Sequence, residues 1–241
     1  MRVLAWNLLH GGGKRIPLLA EAIAAHSPDV VVLAESRSGP DQRLIDLLAP
    51  QGFAHHAVTI APAGKNGVLA LSRTPFASRV PPAGPMYAQR WLELELPEHG
   101  LTVLACHVPP KISIGVDQKR AFWHTLLAYA EQRIDEPALI IGDLNTGAPF
   151  VDEHRATLYC AEEFQRLEPL GWTDVWRHFH GRTTKEWSWV YPRRRSYGYR
   201  LDHAFCTPSL VPRLVGCRYS HEEREARLSD HSVLVVDIAD P

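Results

Sequence analysis

Ala138-Leu139-Ile140-Ile141-Gly142-Asp143-Leu144-Asn145 sets four apolar residues and a glycine ahead of an Asp and an Asn two positions apart. On an extended backbone the side chains at i and i+2 face the same way. Two oxygen-bearing groups are therefore expected to leave a buried strand together. A lone Asp-x-Asn is also an ordinary turn. Recurrence elsewhere in the chain raises it above that reading. Val3-Leu4-Ala5-Trp6 runs into Asn7, Val30-Val31-Val32-Leu33-Ala34 into Glu35, and Leu101-Thr102-Val103-Leu104-Ala105-Cys106 into His107. Asp202-His203 precedes Ala204-Phe205-Cys206, and Asp230-His231 precedes Ser232-Val233-Leu234-Val235-Val236. Apolar runs thus carry metal-type or acid/base-type residues at their tips. If those tips meet at one sheet edge they form an active site.

The 241 residues suit one domain over 1–241, large enough to bury its core without staples. A formal charge of -1 argues against coating nucleic acid through an overall field, so any polyanion site must be a local basic patch. Cys106, Cys160, Cys206 and Cys217 show no C-x-x-C or zinc-type spacing and read as small buried hydrophobes in a reducing compartment. No run approaches membrane-spanning length and no leader-like h-region follows Met1, so a cytoplasmic protein without a membrane partner is expected.

Strand, helix and strand follow one another from Val3 to Ala34, with Pro17 in the first turn of the helix and Leu18, Leu19, Ala22 and Ile23 at helical spacing. A second helix is expected over 40–48, a long one over 116–134 and a shorter one over 161–170. Residues 53–60, 67–71, 186–191, 201–206, 213–219 and 232–238 read as strands, and 80–85 as irregular. Trp91-Leu92-Glu93-Leu94-Glu95-Leu96 alternates strictly and predicts a strand with one wet face, turning at Glu98-His99-Gly100. The mixture predicts an α/β fold of two sheets packed face to face with helices outside. The glycines 11–13 lack the phosphate-loop spacing.

Read in order, Asn7, Glu35, His107, Gly-Asp143-x-Asn145, Arg-x-Asp202-His203 and Ser-Asp230-His231 resemble the endonuclease/exonuclease/phosphatase superfamily over nearly the whole chain. The resemblance implies a four-layer α/β/β/α sandwich of two mixed sheets, a Mg²⁺ or Mn²⁺ cofactor and cleavage of phosphate esters. Trp187-Ser188-Trp189-Val190-Tyr191 with Gly198-Tyr199-Arg200-Leu201-Asp202 resembles the exonuclease III and abasic-site endonuclease branch, which implies DNA as the partner. Where that branch carries Tyr-x-Pro-Asn, this chain has His107-Val108-Pro109-Pro110, closer to deoxyribonuclease I and the tyrosyl-DNA phosphodiesterases.

By this resemblance Asn7 and Glu35 are the main metal ligands, with Asp230 a candidate ligand of the same or a second ion. Asn7 could instead cap the glycine loop. Asp143 would orient or deprotonate the attacking water, Asn145 would donate to the phosphoryl oxygen or nucleophile, and His231 would act as base or transition-state stabiliser with Asp202 orienting its ring. His107 would stabilise the phosphate or protonate the leaving oxygen, with Asn66 at the turn where deoxyribonuclease I offers a carboxylate. A satisfied core histidine is the alternative. His203 reads as a core or rim histidine. Arg193, Arg194, Arg195 and Arg200 with Trp189, Tyr191, Tyr197 and Tyr199 are the expected nucleic-acid contacts, against the alternative of a solvated loop. A DNA phosphodiesterase is the first expectation. A small-molecule or lipid phosphoesterase and a non-catalytic binding module on the same fold are the alternatives.

Overall fold

Successive residues of single strands part to opposite sides, and that parting builds the layers. The computed structural model describes residues 1–80, 87–191 and 197–241. Val3, Ala5, Val30 and Val32 meet Val103, Ala105, Leu139 and Ile141 in one apolar layer between two sheets. Their neighbours Leu4, Trp6, Val31 and Leu33 turn outward onto Ile16, Leu19, Ile23, Leu44 and Leu48 of the helices Ile16–Ala25 and Pro40–Leu48. On the far side Leu104, Cys106 and Ile140 turn outward onto Phe122, Trp123 and Leu126 of the helix Val116–Arg133. Three apolar layers separate four structural ones, the expected α/β/β/α sandwich.

One sheet runs Leu214–Ser220, Val233–Ile238, Arg2–Asn7, Val30–Ser36, Gly67–Ser72, His55–Val58 in spatial order. The other runs Ala77–Arg79, Trp91–Leu96, Leu101–Cys106, Ala138–Asp143, Asp202–Cys206, Thr173–Asp174. Each is mixed. The parallel pairs are Arg2–Asn7 with Val30–Ser36 and Leu101–Cys106 with Ala138–Asp143, each joined through a helical crossover. A short hairpin pairs Trp189–Val190 with Gly198–Tyr199.

Several expectations need correction. The Trp91–Leu96 strand has no wet face of the expected kind: Glu93 is fully buried and only Glu95 is exposed. The outer face at Glu93 lies beneath the Val116–Arg133 helix, and Arg79 and Arg133 reach the carboxylate at 2.5 and 2.9 Å. Two guanidinium partners make a buried carboxylate tolerable. The helix expected over 161–170 closes after Ala161–Gln165, and Leu18 is solvent-exposed. The strands Ala77–Arg79 and Thr173–Asp174 and the helix Val175–His180 have no counterpart in the sequence reading. Of the proline-rich run 80–85, residues 81–85 lie outside the described residues. All four cysteines are buried and unbridged. Among the described residues no helix is long and apolar enough to cross a membrane.

Candidate active site

The tip residues converge because of strand direction. Asn7 and Asp143 end their strands, whereas Asp202 begins an antiparallel one and lies directly opposite Asp143 in the register. Gly142 makes the approach possible: its φ is +140°, and a Cβ there would sit 2.1 Å from the carbonyl oxygen of Cys106. Only glycine escapes that collision. Asp143 and Asn145 do not face one way along a continuing strand, as the spacing had suggested. The strand stops at Asp143, Asn145 turns to φ +47°, and its N–H donates to Asp143 Oδ1 at 2.9 Å. The Asn145 side-chain amide donates to the Val108 carbonyl at 3.0 Å.

Asp143 Oδ2 is the hub. Asn7 Nδ2 donates to it at 3.0 Å, His107 Nε2 lies 3.7 Å away and His231 Nε2 3.9 Å. The other ring nitrogen of His231 bonds Asp202 Oδ2 at 2.8 Å. Burial pushes the Asp143 carboxyl up to about 7, opposed by the charge of His231 and reinforced by Asp202. For His231 burial alone would disfavour the cation, but Asp202 and Asp143 overcome it and raise the imidazole to about 10. His107 is held well below its usual range by burial and by the Arg90 guanidinium, whose Nη1 lies 2.9 and 3.0 Å from its two ring nitrogens. At neutral pH the site therefore offers one imidazolium, one neutral imidazole and one carboxyl poised between its two forms.

Asp143, Asp202 and His231 present ligand-type atoms within 4.8 Å of one another. Of the residues expected to be the main ligands, Asn7 touches this group through Asp143, and Glu35 turns to His10. Asn7 Oδ1 accepts from Leu9 N at 3.0 Å, so the loop-capping alternative describes its oxygen while its nitrogen faces Asp143. Glu35 sits at φ +59°, and its Oε2 accepts from His10 N at 2.7 Å with His10 Nδ1 at 3.0 Å. Asp230 Oδ2 accepts from Trp189 Nε1 at 2.9 Å, while its Oδ1 is buried without a hydrogen-bond partner. Hard carboxylate and amide oxygens, one of them orphaned, are a donor set that suits Mg²⁺ or Mn²⁺.

The Endonuclease/Exonuclease/phosphatase family matches residues 4–231. The chain belongs to this family. Its coarse activity class is phosphoester hydrolysis. A search of curated proteins finds no match. Among solved structures, an AP endonuclease from Archaeoglobus fulgidus superposes with a TM-score of 0.84 at 20% identity, covering 99% of both chains. A 3′ phosphatase, NExo, from Neisseria, bound to a product DNA hairpin, gives 0.84 at 23% over 99% of both chains. A 3′-5′ exonuclease from Neisseria meningitidis gives 0.84 at 24%, covering 99% of this chain and 100% of the other. At these identities the structures speak for the fold.

Within this Endonuclease/Exonuclease/phosphatase chain the expected substrate residues divide. Trp189 and Tyr199 are half-buried with ring centroids 5.8 Å apart, and exposed Tyr191 lies 5.9 Å from Trp189. Arg193, Arg194 and Arg195 lie outside the described residues. Arg200 is a correction: it is fully buried, with Nε 2.6 Å from Asp152 Oδ1 and Nη1 3.0 Å from Asp174 Oδ1, and it cannot reach a substrate. Asn66 is another. Its Oδ1 accepts from Arg37 Nε at 2.8 Å, while the group against the His107 ring is Arg90. His203 is a core histidine, with Nε2 2.8 Å from the Thr146 carbonyl.

Two cations went unforeseen. Arg90 precedes Trp91, the register partner of Cys106, so the hairpin carries it to the His107 tip, and the charges of Glu35 and Asp143 act on it. That placement could have been read from the hairpin prediction. Lys119 is buried on the Val116–Arg133 helix with Nζ 2.5 Å from the Asn145 carbonyl. A lysine at one helical position gives no such signal.

Proposed function

We propose that this family member is a divalent-metal-dependent phosphodiesterase that hydrolyses DNA by in-line attack of water. The observation that carries the reading is the crowding of Asn7, His107 and His231 around one Asp143 oxygen at 3.0, 3.7 and 3.9 Å. The two longer gaps exceed hydrogen-bond range and suit groups that close on a substrate atom between them. Asp143, with its carboxyl raised to about 7, accepts the proton of the attacking water. His231, cationic and aligned by Asp202, stabilises the charge that builds on the phosphoryl oxygens. Arg90 and neutral His107 add donors beside Asp143. Glu35 and Asn7, with Asp230 nearby, would hold Mg²⁺ or Mn²⁺, which when bound offsets phosphate charge and makes water a better nucleophile.

DNA is favoured by the half-buried rings of Trp189 and Tyr199, which can stack on a base or pack on a sugar, and by the nuclease and 3′ phosphatase relatives in the same fold. The four unbridged cysteines fit work in a reducing, cytoplasmic setting. One panel tests the reading: supercoiled plasmid, linear duplex, single strand, an abasic duplex, a 3′-phosphate end and p-nitrophenyl phosphate, each with Mg²⁺, Mn²⁺ or EDTA. Metal-dependent scission of at least one DNA, abolished by EDTA, is expected. Hydrolysis of the small phosphomonoester with every DNA left intact would replace it with a small-molecule phosphoesterase.

A further inference from the structure

The turn that follows Asp143 is held residue by residue. Leu144 N–H donates to the Leu201 carbonyl at 2.8 Å. Thr146 Oγ1 accepts from Trp123 Nε1 at 3.2 Å, and the Thr146 carbonyl meets His203 Nε2 at 2.8 Å. Between them Asn145 adopts φ +47°, a left-handed conformation that is costly for most residues and that Asn tolerates better than most. Its carbonyl accepts from Lys119 Nζ at 2.5 Å.

Lys119 is 2% exposed. A buried ammonium is costly unless its protons find acceptors, and this one spends a proton on a main-chain oxygen in the turn after Asp143. Lys119 and Trp123 are four apart on one helix, so a single face of Val116–Arg133 grips two consecutive turn residues. The Asn145 N–H, donating to Asp143, fixes the residue from one side, and its carbonyl, held by Lys119, fixes it from the other. The direction of its Cα–Cβ bond is thereby set.

We propose that Lys119 is a positioning residue for Asn145: its ammonium locks the left-handed turn that aims the Asn145 side chain and keeps its N–H on Asp143. The effect on turnover rests on the role of Asp143 proposed above and on the phosphoryl-donor role that the family resemblance implies for Asn145; the effect on the turn does not. The expected signature is local loosening with lost turnover and little lost binding.

The test uses Lys119→Met, close in length and without charge, Lys119→Arg, which keeps a donor, and Asn145→Ala. In Lys119→Met, amide exchange over residues 144–147 should quicken by about tenfold or more while the Ala138–Asp143 strand is unchanged. On the DNA substrate turned over fastest in the panel above, kcat should fall by up to about 100-fold. KM should stay within about threefold. Lys119→Arg should restore part of both losses. Combined with Asn145→Ala, Lys119→Met should add little further loss, because the lysine acts through that residue. Unchanged exchange in Lys119→Met, or a kcat loss that multiplies in full with that of Asn145→Ala, overturns the proposal. Full activity of Asn145→Ala alone would instead remove the catalytic reading of Asn145, and the exchange measurement would still decide the role of Lys119.

Discussion

His231 and Asp202 join the two sheets: the imidazole precedes the Val233–Ile238 strand of one, the carboxylate begins the Asp202–Cys206 strand of the other, and Nδ1 and Oδ2 lie 2.8 Å apart in the interior. The pair orients the ring and holds its proton. Asp202→Asn keeps the shape and removes the charge, so kcat should fall by about 100-fold or more. Steady-state kinetics beside a melting curve check this; an active, well-folded variant would release Asp202 from the role.

Turnover should be bell-shaped in pH. The proposed roles need Asp143 ionised and His231 protonated, so the rate should rise through about 7 and fall through about 10. Saturating Mg²⁺ should move the acid limb lower, since a nearby cation favours the carboxylate. Stability follows a related course. His231 is raised in the folded protein, so its contribution is full below the unfolded value of about 6.5 and is lost as pH climbs through about 10. Asp143, raised to about 7, loses its contribution between the unfolded value of about 3.9 and that point. The melting temperature without metal should therefore decline from pH 6 to 10, and His231→Gln should flatten the upper part. A melting temperature that rises over this range contradicts the assignment.

Arg200→Met should damage folding and leave recognition alone. It strips Asp152 and Asp174 of a buried partner, a loss of about 3–5 kcal/mol. Urea unfolding reads the stability. A stable variant with weakened DNA affinity and a shallower salt dependence would return Arg200 to the substrate.

Arg90→Ala should lower kcat by about 100-fold, the scale expected when one donor to a developing anion is removed. Buried His107 would also lose the cation that helps keep it neutral. Unaltered turnover on every DNA in the panel would place Arg90 outside the chemistry.

Trp189→Ala and Tyr199→Ala should each weaken DNA binding by about 1–3 kcal/mol if a base stacks on them. Fluorescence anisotropy with a labelled duplex in Ca²⁺ measures this. Equal affinity in both variants would leave those rings as packing for Asp230 and the hairpin.

The tips of the central strands were legible because long apolar runs have few places to end, and a carboxylate or imidazole at such an end stands out. The layers were legible in the mixture of long apolar strands with amphipathic helices and in the family resemblance, whereas the parting of Val3 from Leu4 and of Leu139 from Ile140 was not, because all four are apolar. Arg200 misled because an arginine among tyrosines looks like surface, and its partners Asp152 and Asp174 lie 48 and 26 positions away. Glu93 misled for a similar reason: alternation reports which residues share a face but not whether a helix roofs it. Asn66 was matched to His107 by analogy of turns, and only the third dimension brings Arg37 to the first and Arg90 to the second.

The missing side chain at position 142 changes how the Gly-Asp-x-Asn signature is understood. Its first letter answers to the neighbouring strand, where the Cys106 oxygen occupies the space a methyl group would need. A bulkier substitution there would wedge apart the rows that carry His107 and Asp143 and silence the enzyme without touching a reactive atom. Half of what looks like a chemical fingerprint is thus a spacing rule, and a distant relative could keep every acid and base yet be disarmed by one added carbon.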